Sequence, residues 1–158
     1  MLQNISKVLL SEEQVQRRVK ELASQLSEEY KGKDPIFVGV LKGCFIFMAD
    51  LMRHVTINCS MDFMAVSSYS GTSSPGAVKI AKDLSQDIEG RHIIIVEDIL
   101  DSGNTLAFLK QYFEVKGAAS FTIVTLLDKP SRREKAITAD LVGFTVPDEF
   151  VVGYGLDF

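Results

Sequence analysis

The chain of 158 residues has no tryptophan, two cysteines, two histidines and four prolines. A disulfide scaffold needs more cysteines in a smaller chain, so Cys44 and Cys59 read as buried or half-buried free thiols in a reducing compartment. His54 and His92 lie far apart, and no His/Cys spacing suits zinc. Positive charge is not in excess. The net charge of −4 argues against a basic nucleic-acid surface. The longest uncharged apolar run, GCFIFMA, is too short to span a bilayer. The N-terminus MLQNISKVLLSEEQ lacks the apolar core and the small-residue cleavage site of a signal peptide. These absences point to a cytoplasmic protein with neither nucleic acid nor membrane as partner.

Apolar residues are plentiful, at 46 %, and the length suits one domain over 1–158 with a substantial core. Ser11 and Gln14 form a capping-box pattern, and Val15, Val19, Leu22, Ala23, Leu26 and Tyr30 follow at helical spacing. The pattern breaks at Lys31-Gly32-Lys33-Asp34-Pro35. Strands are predicted over 35–40, 62–66, 78–80, 92–96, 120–127, 141–146 and 150–154, and helices over 44–54 and 105–115. Strands that are apolar throughout and alternate with helices indicate an α/β fold, with a mostly parallel central sheet covered on both faces. Ligands of such sheets bind beyond the carboxyl ends of the strands, at a switch point.

One stretch departs from the apolar pattern. VEDILDSGNTL, residues 96–106, follows the apolar run HIIIV with Glu97, Asp98 and Asp101 and then turns to small polar residues. Ser102, Gly103, Asn104 and Thr105 can offer backbone N–H groups and hydroxyls at a helix N-terminus, which suits a phosphate dianion. The acids beside such a cradle suit sugar hydroxyls or a metal rather than the phosphate itself. The structural alternative is that Asp101 or Ser102 simply caps the helix.

VEDILDSGNTL resembles the phosphoribosyl-pyrophosphate (PRPP) motif of the type I phosphoribosyltransferases: two acids, two apolar residues, Asp, small polar, Gly, any residue, Thr. LKG (41–43), SSY (67–69), LLDKPSRR (126–133) and PDEFVVGYGLDF (147–158) are similar to the hypoxanthine/guanine, or 6-oxopurine, branch of that family. The resemblance implies the type I fold, with a small hood built from the terminal segments. It implies Mg²⁺-dependent transfer of phosphoribosyl from PRPP to a 6-oxopurine base, with release of pyrophosphate.

The resemblance also implies roles. Asp101 accepts a proton at purine N7, and Asp101, Ser102, Gly103, Asn104 and Thr105 wrap the 5′-phosphate. Lys42 and Gly43 bind pyrophosphate, with a peptide before Lys42 that can be cis. Glu97 and Asp98 serve the ribose hydroxyls directly or through Mg²⁺, and Asp157 joins as a second metal or base ligand. Lys129, Phe150, Val151 and Asp157 hold the purine. The stretch over about 67–77 forms a lid with Ser68 and Tyr69 at its tip. Arg132 and Arg133 are expected on the surface or at a subunit interface. Without the resemblance, Lys42 reads as a solvated strand-end lysine and FVV as core.

The expected assembly is a homodimer or homotetramer. A further segment, with an arginine contacting pyrophosphate, is expected after Phe158. Two competing readings keep the site but change the function. One is an RNA-binding nucleotide sensor on the same fold, which needs a basic face. The other is an acidic-pocket phospho-receiver, which has no use for the Ser-Gly-Asn-Thr cradle.

Overall fold

The computed structural model of the chain describes residues 7–68 and 78–156, apart from the side chain of Ser68. The chain order is α1 (Glu12–Glu29), β1 (Ile36–Leu41), α2 (Phe45–Arg53), β2 (Ser60–Ser68), β3 (Val78–Lys82), β4 (His92–Leu100), α3 (Asn104–Val115), β5 (Ser120–Asp128), a 3-10 turn over Pro130–Arg132, and β6 (Leu141–Thr145). Among the described residues the strands form one six-stranded sheet in the order β3-β2-β1-β4-β5-β6. All neighbours are parallel except β2 and β3. The type I architecture expected from the sequence is therefore present.

Period-two alternation explains why the central strands are apolar without interruption. Ile94 and Val96 of β4 face one way, into a core with Val19, Leu22 and Leu26 of α1 and Phe47, Met48 and Leu51 of α2. Ile93 and Ile95 face the other way, into a second core with Leu106, Leu109 and Phe113 of α3. The capping box at the start of α1 is formed: Gln14 N–H donates to Ser11 Oγ at 3.2 Å and Ser11 N–H to Gln14 Oε1 at 2.8 Å.

Two predicted elements differ. The strand expected over 92–96 continues to Leu100, so Glu97 and Asp98 lie within β4 rather than beyond it. Residues 150–154 do not form a strand. Gly153, Tyr154 and Gly155 all have positive φ (94°, 51° and 83°), which no strand accommodates. The segment instead makes an isolated bridge between Gly153 and Leu156. Just before it, Glu149 forms an ion pair of 3.5 Å with Lys7 of the N-terminal segment, the two segments expected to build the hood.

Candidate active site

The sheet order reverses between β1 and β4. The chain leaves β1 toward α2 on one face and leaves β4 toward α3 on the other. The two departing loops therefore diverge and open a crevice at the carboxyl ends of the strands. Lys42 and Gly43 are on one wall and Asp101, Ser102 and Gly103 on the other, with Glu97 and Asp98 approaching from β4 between them.

The pleat of β4 is irregular at the acids. Val96 and Ile99 pack against the same core although three residues apart, and Leu100 rejoins the opposite one. Glu97 is 8 % exposed. Burial, reinforced by Asp98 and Asp101, holds its carboxyl well above the ordinary range. Among the described residues it has no salt-bridge partner. Asp98 turns toward the opposite wall. A Cβ built on Gly43 would stand 2.1 Å from Asp98 Oδ2, so only glycine lets the loop and the acid approach this closely. The peptide between Leu41 and Lys42 is cis, and the Lys42 side chain is exposed.

On the other wall Gly103 is the N-cap of α3, in the left-handed region with φ 84°, and gives no side-chain cap. Asp101 does not cap the helix either. Its Oδ1 accepts the Ser102 N–H at 2.7 Å. Ser102 Oγ accepts the Asn104 N–H at a longer 3.3 Å. Asn104 was expected in the cradle, but its side-chain amide donates to Glu134 Oε2 at 2.9 Å. Thr105 is half-buried in the first turn.

Behind this wall lies the segment after β5. Lys129 N–H donates to Leu100 O at 2.8 Å, and Ser102 O accepts from Glu134 N at 2.8 Å and Lys135 N at 3.1 Å. Arg133, expected on the surface or at a subunit interface, turns inward. Its side chain is 17 % exposed and pairs with Asp128 at 2.6 Å. It also donates to Asp101 O at 2.8 Å and Leu100 O at 3.3 Å. A run of two arginines after a proline turn gives no sequence signal for burial, because the acid that Arg133 meets ends β5 only once the strand is placed.

The far end of the crevice brings Lys129 to the 149–151 segment: Lys129 Nζ donates to Glu149 O at 2.5 Å. Phe150 is 75 % exposed, and Val151 is partly buried against the core. A hollow of about 780 Å³ lies behind Phe150 and Val151, between Leu10, Val15, Leu127 and Leu156. It does not reach the acids of β4. Tyr154 donates its hydroxyl to Asp50 Oδ2, which also accepts Gln16 Nε2 at 2.9 Å. Burial and this hydrogen bond raise the Tyr154 phenol. The knot ties the hood to α2 and was not anticipated from the sequence. Ser68 (side chain), Tyr69 and Asp157 lie outside the described residues, as does most of the expected lid.

A family model described as the phosphoribosyl transferase domain matches residues 7–158. The chain belongs to the phosphoribosyltransferase family. It is 56 % identical over 159 aligned residues to a hypoxanthine-guanine phosphoribosyltransferase of Bacillus subtilis, covering 100 % of this chain and 88 % of that protein. Among solved structures it is similar to a hypoxanthine phosphoribosyltransferase of Staphylococcus aureus, with TM-score 0.95, 47 % identity, and 100 % and 86 % of the two chains covered. It is also similar to the hypoxanthine phosphoribosyltransferase of Trypanosoma cruzi in complex with the product IMP, with TM-score 0.90, 40 % identity, and 97 % and 87 % covered.

As a phosphoribosyltransferase, the chain has its acids in the right chemical class for a hard cation. Among the described residues no three or more metal-ligating side chains converge. Among the described residues no helix is long and apolar enough to cross a membrane.

Proposed function

We propose that the chain is a hypoxanthine-guanine phosphoribosyltransferase: it joins a 6-oxopurine to the ribose of PRPP, giving IMP or GMP and pyrophosphate in purine salvage. The observation that carries this reading is the close approach of Asp98 to Gly43, on a strand end that also leads into the Ser102–Gly103 turn. A substrate with a pyrophosphate at one end, a ribose in the middle and a 5′-phosphate at the other can use two loops with acids between them. The relatives named for this reaction support the choice of base.

In this reading the purine ring nitrogen attacks C1 of the ribose. The C1–O bond breaks, and pyrophosphate leaves with the bonding pair through an oxocarbenium-like state. The proton on N7 passes to Asp101, which is exposed at the crevice. Ser102, Gly103 and Thr105 hold the 5′-phosphate by main-chain N–H groups and hydroxyls, with Asn104 acting through its N–H. Lys42 and Gly43 hold pyrophosphate. Glu97 and Asp98 face the ribose hydroxyls and would hold Mg²⁺, which when bound neutralises pyrophosphate charge. A cation beside Glu97 would also offset the burial that now favours its protonated form.

Lys129 reads the purine O6. An ammonium only donates, so it accepts a 6-oxo group and rejects a 6-amino group. Phe150 stacks on the base, the Val151 main chain reads its edge, and Asp157 completes the site. Residues 1–158 act as one domain, with a lid over about 67–77 tipped by Ser68 and Tyr69. The protein is cytoplasmic, and a homodimer or homotetramer. The RNA-binding sensor gains no support from the relatives matched.

The test is a steady-state assay with PRPP and Mg²⁺, comparing hypoxanthine, guanine, xanthine and adenine, each with an EDTA control. Metal-dependent IMP or GMP formation with adenine inert is expected. Absence of product with every base rejects the reading.

A further inference from the structure

Three consecutive carbonyls of the turn after β4 point the same way. Leu100 O, Asp101 O and Ser102 O all accept from residues 129–135: Leu100 O from Lys129 N, Asp101 O from Arg133 Nη1, and Ser102 O from Glu134 N and Lys135 N. In a trans peptide the C=O and the next N–H point to opposite sides of the chain. Fixing these carbonyls therefore aims the N–H groups of Asp101, Ser102 and Gly103 away from the 129–135 segment. The Ser102 N–H already meets an anionic oxygen on that side, Asp101 Oδ1 at 2.7 Å. A carboxylate oxygen there is chemically close to a phosphate oxygen.

The middle carbonyl of the three is held by a side chain. Arg133 is also fixed at its other nitrogen by Asp128, at 2.6 Å, and the pair is largely shielded from water. A guanidinium presents donors in a rigid fork, and here one arm is oriented by a carboxylate while the other grips main-chain oxygens. A Cβ on Gly103 would stand 3.4 Å from Arg133 Cδ, so the arginine stem also packs against the turn.

We infer that Arg133, oriented by Asp128, is a positioning residue for the phosphate end of the substrate: it sets the direction of the N–H groups that receive the 5′-phosphate without touching it. This rests on the proposed transferase reading and adds a residue to it. The pyrophosphate wall at Lys42 and Gly43 belongs to the other face of the sheet and is not braced by Arg133.

The full chain carrying Arg133→Gln is to be compared with wild type in three measurements: the KM for PRPP, the Kd of IMP, and the Kd of Mg²⁺-pyrophosphate by calorimetry. Loss of a charge-assisted contact should raise the first two by about tenfold or more and move the third by less than about twofold. Equal losses at all three, or a folded variant with unchanged PRPP KM, would overturn the inference, since a merely structural arginine gives one or the other. If Arg133→Gln does not fold, Arg133→Lys and Asp128→Asn are decided by the same ratio of IMP to pyrophosphate affinity. Wild-type catalysis is the separate check on the transferase reading. If wild type makes no product, that reading fails, whereas product with an unmoved ratio in the variants rejects Arg133 alone.

Discussion

Gly103→Ala tests the turn after β4 through stability. The residue sits at φ 84°, and a Cβ would stand 2.5 Å from Ile137 Cγ2. The left-handed conformation costs alanine about 1–2 kcal/mol relative to glycine. Forcing a methyl into a packed wall adds about 1–3 kcal/mol as Ile137 moves. The total is about 2–5 kcal/mol. Gly90 separates the two contributions: its φ is 72°, and a Cβ there meets nothing within 4 Å. Gly90→Ala should therefore cost only the conformational part, about 1–2 kcal/mol. Gly143 isolates the steric part without a positive φ, because its Cβ would lie 2.4 Å from Leu126 O, on a backbone that cannot rotate aside. Urea unfolding at equilibrium gives the three values. If Gly103→Ala and Gly90→Ala agree within about 0.5 kcal/mol, Ile137 does not close the back of the turn and the packing argument is wrong.

Three other outcomes are expected. Asp101→Asn should keep the fold and PRPP binding and lower turnover by about a hundredfold or more, since the proposed phosphate contacts are mostly main-chain; unchanged turnover in single-turnover kinetics removes the proton-acceptor role. Lys129→Ala should raise the KM for hypoxanthine by about tenfold or more and leave that for PRPP nearly unchanged, with equal rises marking a structural lysine. The Cys44 thiol, pushed up to about 12 by burial and then by Glu97 and Asp98, is a thiolate in about one molecule in ten thousand at pH 8. Native protein should therefore lose Cys59 to a disulfide reagent first and Cys44 only on unfolding. Unfolding returns that thiol toward its ordinary value of 9.0. Its contribution to stability is thus full below that pH and declines as pH rises toward 12, readable as a falling urea midpoint.

The parts of the molecule legible in the sequence are those governed by periodicity and local chemistry. The helix from Ser11 was marked by its cap and apolar spacing, and the buried parallel strands by unbroken apolar runs. The acids and the Ser-Gly-Asn-Thr turn stand out in the sequence as a candidate site because charge interrupts an otherwise apolar strand end. The contacts that hold the site were not legible, because they join segments far apart in the chain. Arg133 reads as solvated until Asp128 and the carbonyls of 100 and 101 are placed beside it. FVVGY reads as a strand, since apolar content says nothing of the positive φ values at 153–155. The tie between the Asn104 amide and Glu134 has no signal in the sequence, since thirty residues separate them.

The two cores on opposite faces of the sheet share only the strands between them. The loop at Lys42 and Gly43 is anchored in one layer through α2, and the turn at Ser102 and Gly103 in the other through α3. Proteins open locally at free energies below that of global unfolding, in units that often follow such packing layers. A ligand holding both loops crosses the end of the sheet and links the layers. Opening either one then requires releasing the ligand, so binding raises the cost of partial opening on both faces at once. Amide hydrogens of α2 and α3 would slow together on saturation, and the occupied site would act as a removable cross-link between the two halves of the molecule.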